Sequence, residues 1–498
     1  MTAFRVLLLL AFLCPRVAQA EQKTRPWNIV YIMADDMGYG DVGCFGATKI
    51  KTPAIDSIAR DGMRCTAFYT QPVCGASRTA CLTGCYPTRV KQYRHERYSH
   101  HPFVHLDEVL IPEVLKPKGY VSAAFGKWDL NGHGREFPND ITPIKHGFDY
   151  FYGRPCGGPQ FRNEMLSPTQ AEPEDYDRTF TDEALGFIEK NRDTPFFVYL
   201  CYYTAHTSGP LAASKKFRGS SEFGLYGDSV QEMDHHIGRL LTKLKEWKLD
   251  ERTMVIFTSD NGPWHLHLDH PQRRNKKGGG PFRAGSPGPL RGQKTETWEG
   301  GVRVPFVVKA PGLIKPGSET DAIIRIVDML PTFADLAGAE LTQPWKIDGK
   351  SQLPLFTGET NKSPVKTHYY YFQAHLQAVR DERYKLILPR PAKPLWQAGG
   401  NFNLGGQSED ITEPELYDLK KDIGEKRNLA AQHPTVVERL LKQAQQARAD
   451  IGDYNLKGDN CRTDVHWAGP RSQWLKAGKA QIKFGANPLR GKNKRHNK

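Results

Sequence analysis

Two short polar clusters, Asp35-Asp36 and Asp260-Asn261, each close an apolar run, Trp27–Ala34 and Met254–Phe257. Taken singly, an Asp after a strand is commonly a turn or cap residue. Brought to one place, these clusters would concentrate about three negative charges, which repel strongly in a low-dielectric cleft. A hard divalent cation with oxygen ligands resolves the repulsion. Carboxylate and amide oxygens suit Ca²⁺ or Mg²⁺ better than zinc, and their flexibility tilts the choice towards calcium. A second constellation is Cys74-Gly75-Ala76-Ser77-Arg78, followed by Thr79-Ala80-Cys81-Leu82-Thr83-Gly84. Pro72 precedes it and Ser77–Leu82 reads as a helix. Cys74 and Arg78, four apart, can therefore share a face at a helix N-terminus, where unpaired backbone N–H groups attract anions.

Several β-rich runs position these residues. Trp27–Ala34, Tyr120–Phe125 (leading into Gly126-Lys127-Trp128-Asp129), Phe196–Tyr203 (ending near His206) and Met254–Phe257 all stop abruptly in polar sequence. Val302–Lys309 follows a Gly-Gly turn, and the helical patterns Thr52–Gly62, Asp182–Asn191 and Ser229–Trp247 separate the runs. Buried parallel strands alternating with helices are predicted, hence an α/β fold. Ligands of open parallel sheets sit at the strands' carboxyl ends, so the chemical residues should share one edge. From about residue 366 the texture changes. Thr367–Phe372, Ala378–Arg380, Tyr384–Leu388 and Glu415–Leu419 read as a small antiparallel sheet, closed by a helix over Pro434–Ala449. The expected organisation is a main body over 21–365, a smaller domain over 366–460 and a basic tail over 461–498, with 391–413 a loop.

Together these elements resemble the type I, formylglycine-dependent sulfatases. C-x-A-S-R followed by L-T-G looks like the signature whose Cys is oxidised to formylglycine. N-I-V-Y-I-M-A-D-D-M-G-Y-G-D at 28–41, G-K-W at 126–128, T-S-D-N-G at 258–262, G-G-V-R-V-P-F at 300–306 and E-L-Y-D-L-K-K-D at 415–422 also recur in that family. The resemblance spans roughly residues 25–430. It implies a large mixed, mostly parallel sheet flanked by helices, alkaline-phosphatase-like, with a smaller C-terminal α+β domain. It further implies that Asp35, Asp36, Asp260 and Asn261 bind the metal together with an oxygen on modified Cys74. Arg78 would hold the modified residue's hydroxyl, and Lys127, His206 and Lys294 would bind the sulfate and its bridging oxygen.

The implied reaction is hydrolysis of sulfate esters. An aldehyde hydrate carries two hydroxyls on one carbon; one attacks sulfur in line with the departing alcohol, and the other loses its proton as the aldehyde re-forms and sulfate leaves. Lys127 and Lys294 would balance charge on the equatorial oxygens, and His206 would protonate the leaving oxygen. Two positions depart from the family pattern: Ala76 stands where Pro is frequent, although Ala is a family alternative, and Asp129 stands where G-K-W-H-L has His. An Asp of raised pKa could serve as the base there, or His133 could fill the space.

Composition narrows the partners. The 498 residues are 39% hydrophobic and 25% charged, enough for a sizeable core and unlike a disordered chain. No internal apolar run reaches about 18 residues, so no membrane-spanning helix is expected. The net charge of +14 invites a nucleic-acid partner, but nine Lys/Arg and no acid lie in 471–498, and +3 remains for residues 21–470. The excess is a tail, and no nucleic-acid partner is expected. The basic loop Trp264–Gln293 and the similarly basic stretch Val90–His105 are expected to border the site; the loop's charge reads as a solvated face or as a rim for a polyanionic sulfated carbohydrate, with a zinc site on its histidines a lesser alternative. Arg5, the apolar Val6–Cys14 and Ala18-Gln19-Ala20 read as a secretory signal peptide over 1–20, placing the chain in the periplasm or outside the cell. The single sequon, Asn361-Lys362-Ser363, favours a bacterial over a lysosomal route. Eight Cys follow residue 20, an even count that suggests four bridges, although their sparse spacing argues against a dense framework and Cys74 is otherwise engaged. A formylglycine-generating or equivalent maturation enzyme is the implied partner. Two other readings are a phosphonate or phosphate monoester hydrolase on the same scaffold and a catalytically weak glycan-binding protein.

Overall fold

The computed structural model describes residues 26–462 apart from 91–103, 105, 131–141, 156–157, 208–210, 265–284, 373, 391–409 and 454–455. The signal-like segment, most of the two basic stretches, His133, Cys156 and the tail from 463 onward lie outside the described residues.

The strands of the main sheet are β1 (Asn28–Ala34), β2 (Met63–Tyr69), β3 (Val121–Lys127), β4 (Tyr150–Arg154), β5 (Phe161–Arg162), β6 (Met165–Leu166), β7 (Phe196–Cys201), β8 (Thr253–Ser259), β9 (Arg303–Lys309), β10 (Ser318–Thr320) and β11 (Ile324–Arg325). Their order is β10-β2-β9-β8-β1-β7-β3-β4-β5-β6, with β11 beside β2. The four central strands β8, β1, β7 and β3 run parallel. Continuous apolar runs form them because both faces are covered. Ile29, Tyr31 and Met33 of β1 pack on one side, with helices α2 (Cys74–Thr83) and α5 (Met329–Ala337). Val30, Ile32 and Ala34 pack on the other, with α1 (Pro53–Arg60), α3 (Tyr176–Lys190) and α4 (Gly224–Glu246).

Two features differ from the expectation of parallel strands alone. β9 is antiparallel to both β8 and β2. The chain reaches it through the short helical turn Glu299–Val302 at the site edge, with no crossover. β2 escaped notice because its half-exposed Arg64 and Thr66 interrupt the apolar run, leaving a period-two pattern. The even cysteine count also misled: Cys44, Cys65, Cys74, Cys81, Cys85, Cys201 and Cys461 are all free thiols, so no bridge joins the described cysteines.

The second sheet is antiparallel, β12 (His368–Phe372), β13 (His375–Arg380), β14 (Tyr384–Ile387) and β15 (Glu415–Asp418) in that order. One face packs Leu376, Val379, Leu386 and Leu416 against Leu440, Ala444 and Ala447 of α6 (Pro434–Asp450). The other lays Tyr370, Ala378, Ile387 and Tyr417 on Ala67, Tyr69, Trp298 and Val302 of the main body. Cys461 and Arg462, at the start of the basic stretch, pack on that body: Arg462 Nε donates to Glu108 Oε1 at 2.8 Å and Cys461 Sγ to the Thr88 carbonyl at 3.2 Å.

Gly126, in β3 one residue before Lys127, has φ +84°, and a Cβ there would collide with the Cys201 carbonyl of β7. Gly126→Ala is expected to cost at least about 2 kcal/mol, read as a fall in Tm. Gly186→Ala, on the exposed side of α3 with nothing near the new methyl, should raise Tm slightly through helix propensity.

Candidate active site

All nine residues singled out from the sequence meet at the carboxyl edge of the central strands. Asp35 and Asp36 follow β1, Asp260 and Asn261 follow β8, Lys127 ends β3, and His206 follows β7. Cys74 is the first residue of α2, reached from the end of β2, so the helix N-terminus faces the same edge.

Backbone bonds lock the loops. Asp35 N donates to the Thr204 carbonyl at 2.9 Å, and Asp260 N to the Ala34 carbonyl at 3.1 Å. Asp36, left-handed at φ 61°, gives its N–H to Asp260 Oδ1 at 3.1 Å. Lys294 arrives on a turn packed backbone to backbone on Gly300-Gly301, where a Cβ at Gly301 would collide with the carbonyls of Gln293 and Glu296. Its own N–H is held by the Pro263 carbonyl at 2.9 Å, and Thr295 N by that of Pro72 at 2.8 Å.

The side chains form an alternating array of charge, buried except at its rim, where His206 is partly exposed. Arg78, with no exposed surface, donates to Asp260 Oδ2 at 2.8 Å and to the Lys127 carbonyl at 3.0 Å. Lys127 Nζ lies 2.7 Å from Asp35 Oδ2, and Lys294 Nζ lies 2.5 Å from Asp36 Oδ1 and 2.9 Å from Cys74 Sγ. Asn261 Nδ2 donates to Asp36 Oδ1 at 2.8 Å. His206 Nε2 is 3.7 Å from Asp36 Oδ2. Asp129 is buried at φ 58° with Oδ2 3.8 Å from Lys127 Nζ, which places it beside that ammonium.

The array sets the protonation states. Burial alone would lift the Asp35 carboxyl, but Lys127, then His206 and Arg78, hold it below its ordinary value. Burial and repulsion by Asp35 raise Asp260. Burial outweighs the neighbouring carboxylates at His206 and holds its pKa down. Burial, with Asp260 and Asp35, drives the Cys74 thiol well up.

Residues that could hold a metal are identifiable from what they lack. Asp35 Oδ1, Asp36 Oδ2 and Asn261 Oδ1 are buried acceptors with no hydrogen-bond partner among the described residues. Such atoms are rare in a native interior unless an ion or water meets them. Ligand atoms of Asp35, Asp36, Cys74 and His206 lie within 4.8 Å of one another. A Cys and a His by type would suit zinc, whereas the unmet atoms are all oxygens, the donors a hard cation prefers. The Arg78 Nε–H, also unmet, is available to a further acceptor.

Trp264 was passed over in the sequence as merely the start of a basic loop. Its ring lies 5.6 Å from that of His206 and 4.5 Å from Lys294 Nζ. Arg291, read as part of the basic rim, stacks 3.6 Å from the Trp298 ring centroid. No sequence spacing announces either contact, because both depend on the unseen packing of the Lys294 turn.

The sulfatase family profile matches residues 27–339, that of the N-sulphoglucosamine sulphohydrolase C-terminal region matches 293–397, and that of the aryl-sulfatase C-terminal region matches 363–477. The chain is 31% identical to steryl-sulfatase of Homo sapiens, over 88% of this chain and 90% of that one. It is 31% identical to N-acetylgalactosamine-6-sulfatase of Canis lupus familiaris, over 95% of each. Among solved structures, a Bacteroides thetaiotaomicron protein from work on the metabolism of multiple glycosaminoglycans superposes with TM-score 0.74 at 25% identity, over 85% of this chain and all of that one. A sulfatase from Pseudoalteromonas sp. does so with TM-score 0.74 at 26%, over 87% and 92%. The chain belongs to the formylglycine-dependent type I sulfatase family, sulfuric ester hydrolases of alkaline-phosphatase-like fold.

Proposed function

We propose that this sulfatase removes sulfate from a sulfated carbohydrate outside the cytosol, using formylglycine made from Cys74 and a divalent cation, Ca²⁺ before Mg²⁺. The observation that carries the reading is the convergence of Cys74, Lys127, Lys294 and His206 beside three buried oxygens without partners. Relatives named for sulfated sugars and a neighbour from glycosaminoglycan metabolism support a carbohydrate substrate.

Asp35, Asp36, Asp260 and Asn261 would hold the cation. Bound there, it would neutralise the carboxylates and acidify an oxygen on residue 74. Formylglycine supplies a hydrated aldehyde carbon at the helix N-terminus. The chain's own groups do the rest. Lys127 and Lys294, both buried, offer ammonium hydrogens to the non-bridging sulfate oxygens, where charge develops. Arg78, through its unmet Nε–H, can steady an oxygen on residue 74. His206 offers a ring N–H to the bridging oxygen as the alcohol departs. Asp129, beside Lys127, stands ready to accept a proton in place of the family's His.

In the proposed organisation, residues 21–365 form the catalytic body, 366–460 the smaller domain and 461–498 the tail, after a signal peptide over 1–20 and maturation by a formylglycine-generating enzyme. The described residues include no helix long and apolar enough to cross a membrane. The N-terminal sequence supports a secreted or periplasmic, bacterial setting.

Four outcomes are expected. Enzyme co-produced with a maturation enzyme should show formylglycine in the mass of its residue-74 peptide and release sulfate from 4-nitrocatechol sulfate. Cys74→Ala, or removal of divalent ions by chelator, should abolish release, and Ca²⁺ should restore the chelated enzyme; faster turnover of the matched nitrophenyl phosphate would instead mark a phosphoesterase. Lys127→Ala or Lys294→Ala should each lower kcat/KM by roughly 10²–10³-fold. His206→Ala should lose about 10²–10⁴-fold on sugar sulfates and much less on nitrocatechol sulfate, whose leaving oxygen hardly needs a proton.

A further inference from the structure

The segment Lys294–Glu299 joins the site to the second sheet. At one end Lys294 Nζ meets Cys74 and Asp36. At the other, Glu299 is fully buried between the two sheets and accepts from Tyr69 at 2.7 Å and Tyr370 at 2.8 Å. Arg303 Nη1 pairs with it at 3.4 Å. The remaining cation comes from β14. Lys385, also fully buried, donates to Glu299 Oε1 at 3.1 Å and to the Thr297 carbonyl at 2.7 Å, and its Nζ lies 2.7 Å from Glu425 Oε1. Glu425 Oε2 in turn accepts the Glu299 N–H at 2.8 Å, and Thr297 Oγ1 donates to Gln377 Oε1 of β13 at 2.9 Å.

An ammonium carries three hydrogens and here faces three oxygens, two of them on the segment that ends in Lys294. Burying a charge so completely is costly unless its partners are fixed, so the cluster has one well-defined arrangement. Between Thr297 and Lys294 the chain makes one tight turn, with Thr295 left-handed at φ 74°. Thr297 and Lys294 are therefore joined by a single short turn, itself held by the Glu296 N–H on the Gln293 carbonyl at 3.0 Å.

We propose that Lys385 is a positioning residue for Lys294. Its grip on Thr297 and Glu299 sets the Lys294 ammonium against residue 74, so the second sheet completes the sulfate pocket without touching substrate. This rests on the reading of Lys294 as a sulfate-binding group.

The test is a double-mutant cycle on matured, Ca²⁺-loaded enzyme, with 4-nitrocatechol sulfate turnover and calorimetric binding of inorganic sulfate as readouts. Lys385→Met is one arm. Lys385→Met with Glu425→Gln is the other, since it leaves Glu299 paired to Arg303 and avoids a surplus buried carboxylate if the single variant fails to fold. Either should lower kcat/KM about 10- to 100-fold and weaken sulfate binding, with unchanged formylglycine content. In a Lys294→Ala background the same change should have little further effect, because the residue it positions is gone. Wild-type kinetics in both arms, or losses that add fully to those of Lys294→Ala, would overturn the inference. If the wild type binds sulfate without turning over the ester, the catalytic reading fails instead, and the binding cycle still decides the role of Lys385.

Discussion

Four carboxylates and three cationic side chains occupy one buried space at the end of the central strands, and each ion is tolerable there only because the others are present. Stranding one of them would cost several kcal/mol. Asp35, Asp36, Asp129 and Asp260 against Arg78, Lys127 and Lys294 leave the cluster near neutral with one acid in excess. A cation added among the carboxylates leaves an excess of positive charge, and an anionic ester is the natural counterweight. Binding of metal and of sulfate at this edge, as proposed, would thus be two sides of a single electrostatic balance, and the rest of the molecule holds these charges in register.

The α/β architecture suits this task. Four parallel strands end at one level, so each contributes a residue to a common edge without a long loop. The antiparallel β9 enters from that same edge and brings the Gly300-Gly301 turn, on which Lys294 is seated. A crossover helix in its place would have carried the lysine away from the cluster.

Much of this was legible before any coordinates. Runs such as Asn28–Ala34 are too apolar and too short to be anything but buried strands, and the acid pairs that end them are conspicuous against that background. The signature from Cys74 to Gly84 marked the helix whose first residue is the proposed site of the chemistry. What stayed hidden depends on contact between distant segments. Lys385 sits in a strand whose alternation sets it on the same face as Ile387, an anomaly visible in sequence, yet its partners Thr297 and Glu299 are far away along the chain. Trp264 gives no signal until the Lys294 turn folds beside it. The direction of β9 likewise follows from the route of the chain, not from its apolar pattern. Cysteine arithmetic failed for a related reason: parity says nothing about whether two thiols are neighbours.

Those thiols carry a consequence of their own. Cys65, Cys81 and Cys201 are embedded in the layers that sandwich the main sheet, behaving as small apolar side chains. Cohesion of the described residues therefore owes nothing to covalent cross-links, and the folded body should tolerate dithiothreitol. If Cys74 becomes formylglycine as proposed, the redox state of the surroundings matters among the described thiols at that sulfur, which is lost when the aldehyde forms.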